Sequence, residues 1–187
     1  ASALFGMPVS EGTITTMTSR LAGSLTAFLD AVRQRIADAP VVGFDETGLR
    51  VEGRLQWVHA ARTDQYTLYT CHEKRGRVGM DAAGVLPTFT GVMVRDAWAP
   101  YDGYDQAAGS QLCCAHVLRE LQAVIDASPE GADWCWAGQA AAAIRALQHL
   151  TAEATTAGRD AVNIAARERH VSYYRSAVTI GLEATAG

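Results

Sequence analysis

Two carboxylates stand where a hydrophobic run stops. The stretch VVGFDETGLRV, residues 41–51, carries Asp45 and Glu46 directly after four residues suited to a buried strand, and GVMVRDAWAPY, residues 91–101, repeats the arrangement with Asp96. Parallel strands lying side by side deliver their carboxyl ends to one sheet edge, where open α/β sheets bind ligands. Neighbouring backbones are about 4.8 Å apart, so Asp45 and Asp96 would repel unless one takes up a proton or a cation sits between them. Hard oxygen donors with open positions suit Mg²⁺ or Mn²⁺, which keep water and engage phosphates. Two such ions about 3.5–4 Å apart serve an in-line phosphoryl displacement, so the pair points to cleavage or transfer of nucleic-acid strands. The bland alternative is that each Asp forms a turn or caps a helix. Glu46, next in the strand, is directed to the opposite face and reads as a supporting residue behind the site rather than a ligand.

Other groups lie near these acids in sequence. His72, Lys74, Arg75 and Arg77 in HEKRGR form a basic patch that either contacts phosphates or is a solvated turn. Trp98 and Tyr101, just past the second acid, either stack on a nucleotide or fill the loop. Cys113 and His116 in CCAH are separated by two residues, and a zinc site would need four ligands. Cys71 and His72 complete such a set only if their strand end approaches; otherwise Cys113 is a buried thiol and His116 a hydrogen-bonded ring. His59 reads as a packed strand residue.

The elements that must position these groups are legible from periodicity. Ile14, Met17, Leu21, Leu25, Phe28, Leu29, Val32 and Ile36 recur at steps of three and four and predict one amphipathic helix over 10–39. Ser10 is its N-cap, Glu11 lies in the first turn and Pro40 marks the stop. LFGMPVS before it is a loop or the remnant of a helix-turn-helix unit. VVGF is unalternated, as in a strand buried on both faces. RLQWVHAAR alternates, with Leu55, Trp57, His59 and Ala61 on one side, and QYTLYTC is β-branched and aromatic. With Gly53 in a turn, these three form a meander. RVGMDAAGVLP predicts a short helix ended by Pro87, after which GVMVRD returns as a central strand parallel to the first. WAPYDGYDQAAGS is loop with a turn of helix. QLCCAHVLRELQAVI begins as a short strand and continues as a helix with Leu118, Leu121 and Ile125 inward. From residue 129 the chain is alanine-rich helix, interrupted near Gly158. The divisions are therefore a helical lead-in over 1–40, a mixed α/β core over 41–127 and a helical segment over 128–187.

Composition narrows the function classes. The 187 residues suffice for a self-sufficient core with an appendage, and 49% apolar against 19% charged residues is a globular balance. Apolar runs fall short of the roughly 20 residues that span a bilayer, and no basic stretch followed by an apolar one opens the chain, so the cytoplasm is expected. Cysteines 71, 113, 114 and 135 are spaced as reduced thiols rather than a disulfide framework. A net charge of -4 excludes a chain-wide polyanion-binding surface but not the local patch at 74–77. Ala1 in place of methionine suggests an excerpt or a processed product.

Four strings in order, LFGMPVSEGTI, FDETGLRVEGRLQWVHAA, HEKRGRVGMDAAGVLPTFTGVMVRDAWAPY and LCCAHVLRELQ, resemble the insertion-sequence-66 family of bacterial transposases, closely from about residue 4 to 122 and loosely in the helical tail. The resemblance implies a ribonuclease-H-like domain with an Asp-Asp-Glu triad, in which Asp45 is the first acid and Asp96 the second. It further implies Mg²⁺- or Mn²⁺-dependent nicking and joining at transposon DNA ends and target DNA. In the family the third acid belongs to an N-N-x-A-E-R-like segment after a helical insertion, and no such string occurs in these residues. The chain then reads as ending inside that insertion, with residues 128–187 as part of it, and in isolation is expected to bind metal weakly and turn over little DNA. Glu120 in HVLREL is the candidate third ligand, against a surface or interhelical ion pair beside Arg119. The resemblance also gives Cys113 and His116 a structural or metal-supporting role. Two other classes remain open: a non-catalytic module that holds DNA ends or pairs with a second copy as a homo-oligomer, and a zinc-stabilised domain.

Overall fold

The computed structural model describes residues 9–128 and 134–185, in two compact units, 1–111 and 112–187. The first opens with helices α1 (Glu11–Ser24) and α2 (Thr26–Ala37). Ser10 caps α1 as expected, its hydroxyl accepting the Thr13 N–H, with Glu11 in the first turn. The single helix expected over 10–39 is interrupted at Leu25. Gly23 and Ser24 precede the break, Ser24 Oγ bonds back to Leu21 O, and the Leu25 N–H closes a tight turn onto Ala22 O. The predicted apolar stripe is mostly exposed, and only Val32 and Ile36 enter the core. The LFGM part of the lead lies outside the described residues.

A five-stranded sheet follows, ordered β3-β2-β1-β4-β5, from β1 (Val41–Val51), β2 (Arg54–Arg62), β3 (Thr67–His72), β4 (Val92–Arg95) and β5 (Gly109–Leu112). Strands β1 to β3 are the expected antiparallel meander. The β1–β2 hairpin turns on Glu52 and Gly53, both with positive φ, the two-residue geometry that matches strand twist. Thr63 shapes the second turn, its hydroxyl accepting the N–H groups of Gln65 and Tyr66. Strand β4 pairs parallel with β1, Val41 opposite Val92, Val42 opposite Met93 and Gly43 opposite Val94. Among the described residues the fold class is thus α/β, with one mixed sheet and six α-helices.

The crossover differs in detail from its expectation. Helix α3 (Arg77–Ala82) ends well before Pro87, with Gly84 in the left-handed region, and Pro87 lies inside a separate 3-10 turn, Leu86–Thr88. The core sits on one face of the sheet, where Val42, Phe44, Ala61, Leu68 and Met93 meet Ile36, Met80, Val85 and Phe89. Burial on both faces, expected for VVGF, is not found: Val42 and Phe44 are buried and Val41 is exposed, because the helices of this unit cover only the even-numbered face.

The second unit is helical, with α4 (Cys114–Ala127), α5 (Trp136–Thr156) and α6 (Ile164–Thr185). Leu121 and Ile125 turn inward as expected, against Ala137, Ala140, Ala141, Ile144 and Ala177, and Leu118 is partly buried there. Alanines let these helices approach closely. Cys71, Cys113 and Cys114 are free thiols.

Candidate active site

The parallel pairing of β1 and β4 ends at Gly43 opposite Val94; carried on by two residues, that register puts Asp45, which lies within β1 and still pairs with Ala60 of β2, level with Asp96, which directly follows β4. Each acid is fixed by one local bond. Asp45 is exposed, and its Oδ1 accepts the Glu46 N–H at 2.9 Å. Asp96 Oδ1 accepts the Trp98 N–H at 3.0 Å, and its side chain is 24% exposed. Each carboxylate thus keeps an oxygen for another ligand. Two hard donors of this kind, open to solvent, fit a Mg²⁺ or Mn²⁺ ion that retains several waters.

Strand alternation turns Glu46 onto the buried face with Val42 and Phe44, and its side chain is only 1% exposed. Burying a carboxylate this deeply requires compensation, and both oxygens have it. Arg75 Nε donates to Oε1 at 3.1 Å with Nη2 at 3.0 Å from the same atom, and the Tyr101 hydroxyl donates to Oε2 at 2.7 Å. Glu46 is therefore fully engaged inside the protein. Arg75 also reaches the rim, with Nη2 at 3.9 Å from Asp96 Oδ2. Its guanidinium lies 3.9 Å over the Trp98 ring and 5.1 Å from that of Trp57.

The loop that carries Arg75 is held from beneath. The Lys74 carbonyl accepts from His59 Nε2 at 3.1 Å, and the Lys74 N–H donates to His72 Nδ1 at 2.9 Å. His59 is buried, as the strand pattern anticipated. Gly79 makes room for the contact, since a Cβ there would fall 2.0 Å from the Lys74 carbonyl and 2.6 Å from His59 Nε2. Lys74 is exposed and beside Glu73, while Arg77 pairs with Asp81 and lies 4.6 Å over the Tyr104 ring.

Tyr101 is buried, and Trp98 packs edge-on against it at 6.4 Å. Burial, the hydrogen bond to Glu46, and the negative charges of Glu46, Asp96 and Asp45 together hold the Tyr101 phenol well above its ordinary value near 10. Asp45, Glu46 and Asp96 thus act electrostatically on one hydroxyl. Tyr104, donating to Asp81, is raised for similar reasons, burial first. Because the fold favours the protonated phenols, their contribution to stability is complete below about pH 10 and lost as pH climbs past it. Tyr101→Phe, which strips a hydrogen bond from a buried carboxylate, should cost about 2 kcal/mol at pH 7. That deficit should shrink in urea melts above pH 10, and a constant deficit would mean that the phenol is not linked to folding.

Arg95 was not legible as a site residue. It is buried in phase with Met93, with Nη1 donating to the Asp96 carbonyl at 3.0 Å, Nε to Ser110 Oγ at 2.8 Å, and Nη2 paired with Asp102. It ties the backbone of the second acid to β5. An arginine at a core-facing position of a four-residue strand is the signal that could have found it.

The remaining candidates lie in the second unit. Cys113 precedes α4 and its carbonyl accepts the His116 N–H; His116 Nδ1 is buried without a hydrogen-bond partner. Glu120 is exposed on α4 next to exposed Arg119. Among the described residues no three His, Cys, Asp or Glu side chains gather as a metal cage, of the kind a zinc set would need. No described helix is long and apolar enough to cross a membrane. The family model described as Transposase IS66 family matches residues 1–184. No curated protein and no solved structure matches the chain.

Proposed function

The chain belongs to the IS66 family of transposases, and from that premise we propose that its first unit is the ribonuclease-H-like catalytic core of a DNA strand-transfer enzyme, with Asp45 and Asp96 as the first two acids of an Asp-Asp-Glu triad. The observation that supports this reading is the parallel pairing of β1 with β4 up to Gly43 and Val94, each two residues before one of the acids. The antiparallel meander continued by a parallel central strand supports the fold reading.

Asp45 and Asp96 would hold Mg²⁺ or Mn²⁺, which when bound activates an oxygen nucleophile and stabilises the leaving oxygen. Water attacks a phosphodiester at a transposon end, the P–O bond to the 3′ oxygen breaks, and that oxygen takes up a proton. The 3′ hydroxyl then attacks a target phosphodiester, so that each P–O bond broken is matched by one formed. Around this chemistry Glu46, Arg75 and Tyr101 brace the rim, Arg95 fixes the Asp96 backbone, and the Trp98 N–H orients the Asp96 carboxylate. Lys74 and Arg77, both exposed, would meet the DNA backbone. Glu120 stays the candidate third acid within this chain. The two ends of an element must meet for joining, so a homo-oligomer on DNA is part of the proposal.

The test is metal-dependent chemistry on end-labelled DNA, in a transposase containing this chain and its third acid. Nicks at the element ends that require Mg²⁺ or Mn²⁺ and are lost with chelator are expected. Binding to the same DNA with no metal-dependent product would favour the non-catalytic holding module.

A further inference from the structure

Arg75 stands between a carboxylate that needs it and one that does not. Glu46 is 1% exposed and takes a forked contact from Arg75 at 3.0–3.1 Å, whereas Asp96 is 24% exposed and lies 3.9 Å away, beyond hydrogen-bonding distance. The guanidinium is itself 35% exposed and lies over Trp98, whose N–H is bonded to Asp96. A positive charge therefore already sits beside the second acid when no other cation is there. Its anchor on Glu46 is short and buried, and its hold on Asp96 is long and open to water.

We propose that Arg75 is a built-in counter-ion of the acid rim, an autoinhibitory latch that partly neutralises Asp96 in the free chain and gives it up, while staying on Glu46, when a divalent cation enters. This rests on the reading of Asp45 and Asp96 as a cation site. A divalent ion that approaches Asp96 meets the repulsion of a guanidinium a few ångströms away, which lowers its affinity. The same repulsion shifts the guanidinium relative to the Trp98 ring when the ion binds. The latch would keep the rim from holding metal tightly until further negative charge, such as a DNA phosphodiester, adds to the site.

Binding of Mn²⁺ alone, read from the electron paramagnetic resonance signal of the free ion, tests this with the wild-type chain, Arg75→Gln, Asp96→Asn and the double variant. Arg75→Gln is expected to bind Mn²⁺ about tenfold more tightly than wild type, and Asp96→Asn to remove that binding in both backgrounds. Equal or weaker binding by Arg75→Gln, with wild-type binding still dependent on Asp96, overturns the latch and leaves the cation site standing. If neither chain shows Asp96-dependent binding, the cation reading fails and takes the latch with it. Should Arg75→Gln not fold, tryptophan emission on titration of the wild-type chain with MgCl₂ decides. A change that Trp98→Phe removes supports displacement of the guanidinium, and an unchanged emission at saturation overturns it.

Discussion

Asp96→Asn or Asp45→Asn, introduced into a transposase carrying these residues with a third acid, is expected to lower strand transfer by about a thousandfold or more while leaving the melting curve unchanged. The asymmetry follows from what each carboxylate does. For folding, each supplies one accepting oxygen to a backbone N–H, Asp45 to Glu46 and Asp96 to Trp98, and asparagine keeps that oxygen. Both groups reach solvent, so the change creates no cavity and buries no new polar group. For chemistry, asparagine replaces a charged oxygen by an amide that cannot balance a divalent ion. Losing several kcal/mol of metal-supplied stabilisation, at about 1.36 kcal/mol per factor of ten, amounts to about three orders of magnitude. Labelled-end strand transfer beside circular dichroism melts reads both quantities. A variant that keeps a tenth of the parent activity would remove its residue from the triad, and one that loses activity together with its melting transition would make the residue structural.

Much of what places this site was legible in the sequence because it depends on short-range chemistry. Alternation in RLQWVHAAR, with Gly53 in the turn, identified the meander, and the two unalternated apolar runs identified β4 as the parallel partner of β1. What stayed hidden depends on which surfaces meet. The stripe Ile14, Met17, Leu21 has ideal helical spacing, but periodicity reports that a helix has an apolar face, not that the face is covered. Gly23 and Ser24 alone did not predict a break. Glu46 was rightly turned away from Asp45, but its partners Arg75 and Tyr101 come from 29 and 55 residues downstream, and no local pattern encodes such pairings. Arg75 was visible only as one cation in a basic run. Its separation from Lys74 and Arg77 in role comes from beneath, where His59 of β2 holds the Lys74 carbonyl, Gly79 of α3 leaves room for that contact, and the next side chain reaches Glu46.

The exposed stripe and the buried core make a paired prediction from one substitution. Phe89 is fully buried, edge-on to Phe44 with centroids 5.5 Å apart, and Phe44 directly precedes Asp45 in β1. Phe89→Ala should therefore destabilise the first unit by about 3–5 kcal/mol, from lost transfer energy and the cavity left behind. That is a large part of the 5–15 kcal/mol typical of a whole domain, so the variant should be near unfolding at physiological temperature. Phe28, on α2, is 63% exposed, and the same change there should stay within about 0.5 kcal/mol. The chain has two compact units, so a single melting temperature would blur the comparison. The emission of Trp57 and Trp98 reports on the first unit, with Trp134 and Trp136 replaced by Phe in every chain compared. Equal losses at the two positions would show that the stripe on α1 and α2 is covered in solution, and with it that Phe28 belongs to a core. A small loss at Phe89 would instead mean that the packing behind Asp45 is loose, and a loose backing cannot hold two acids at one sheet edge.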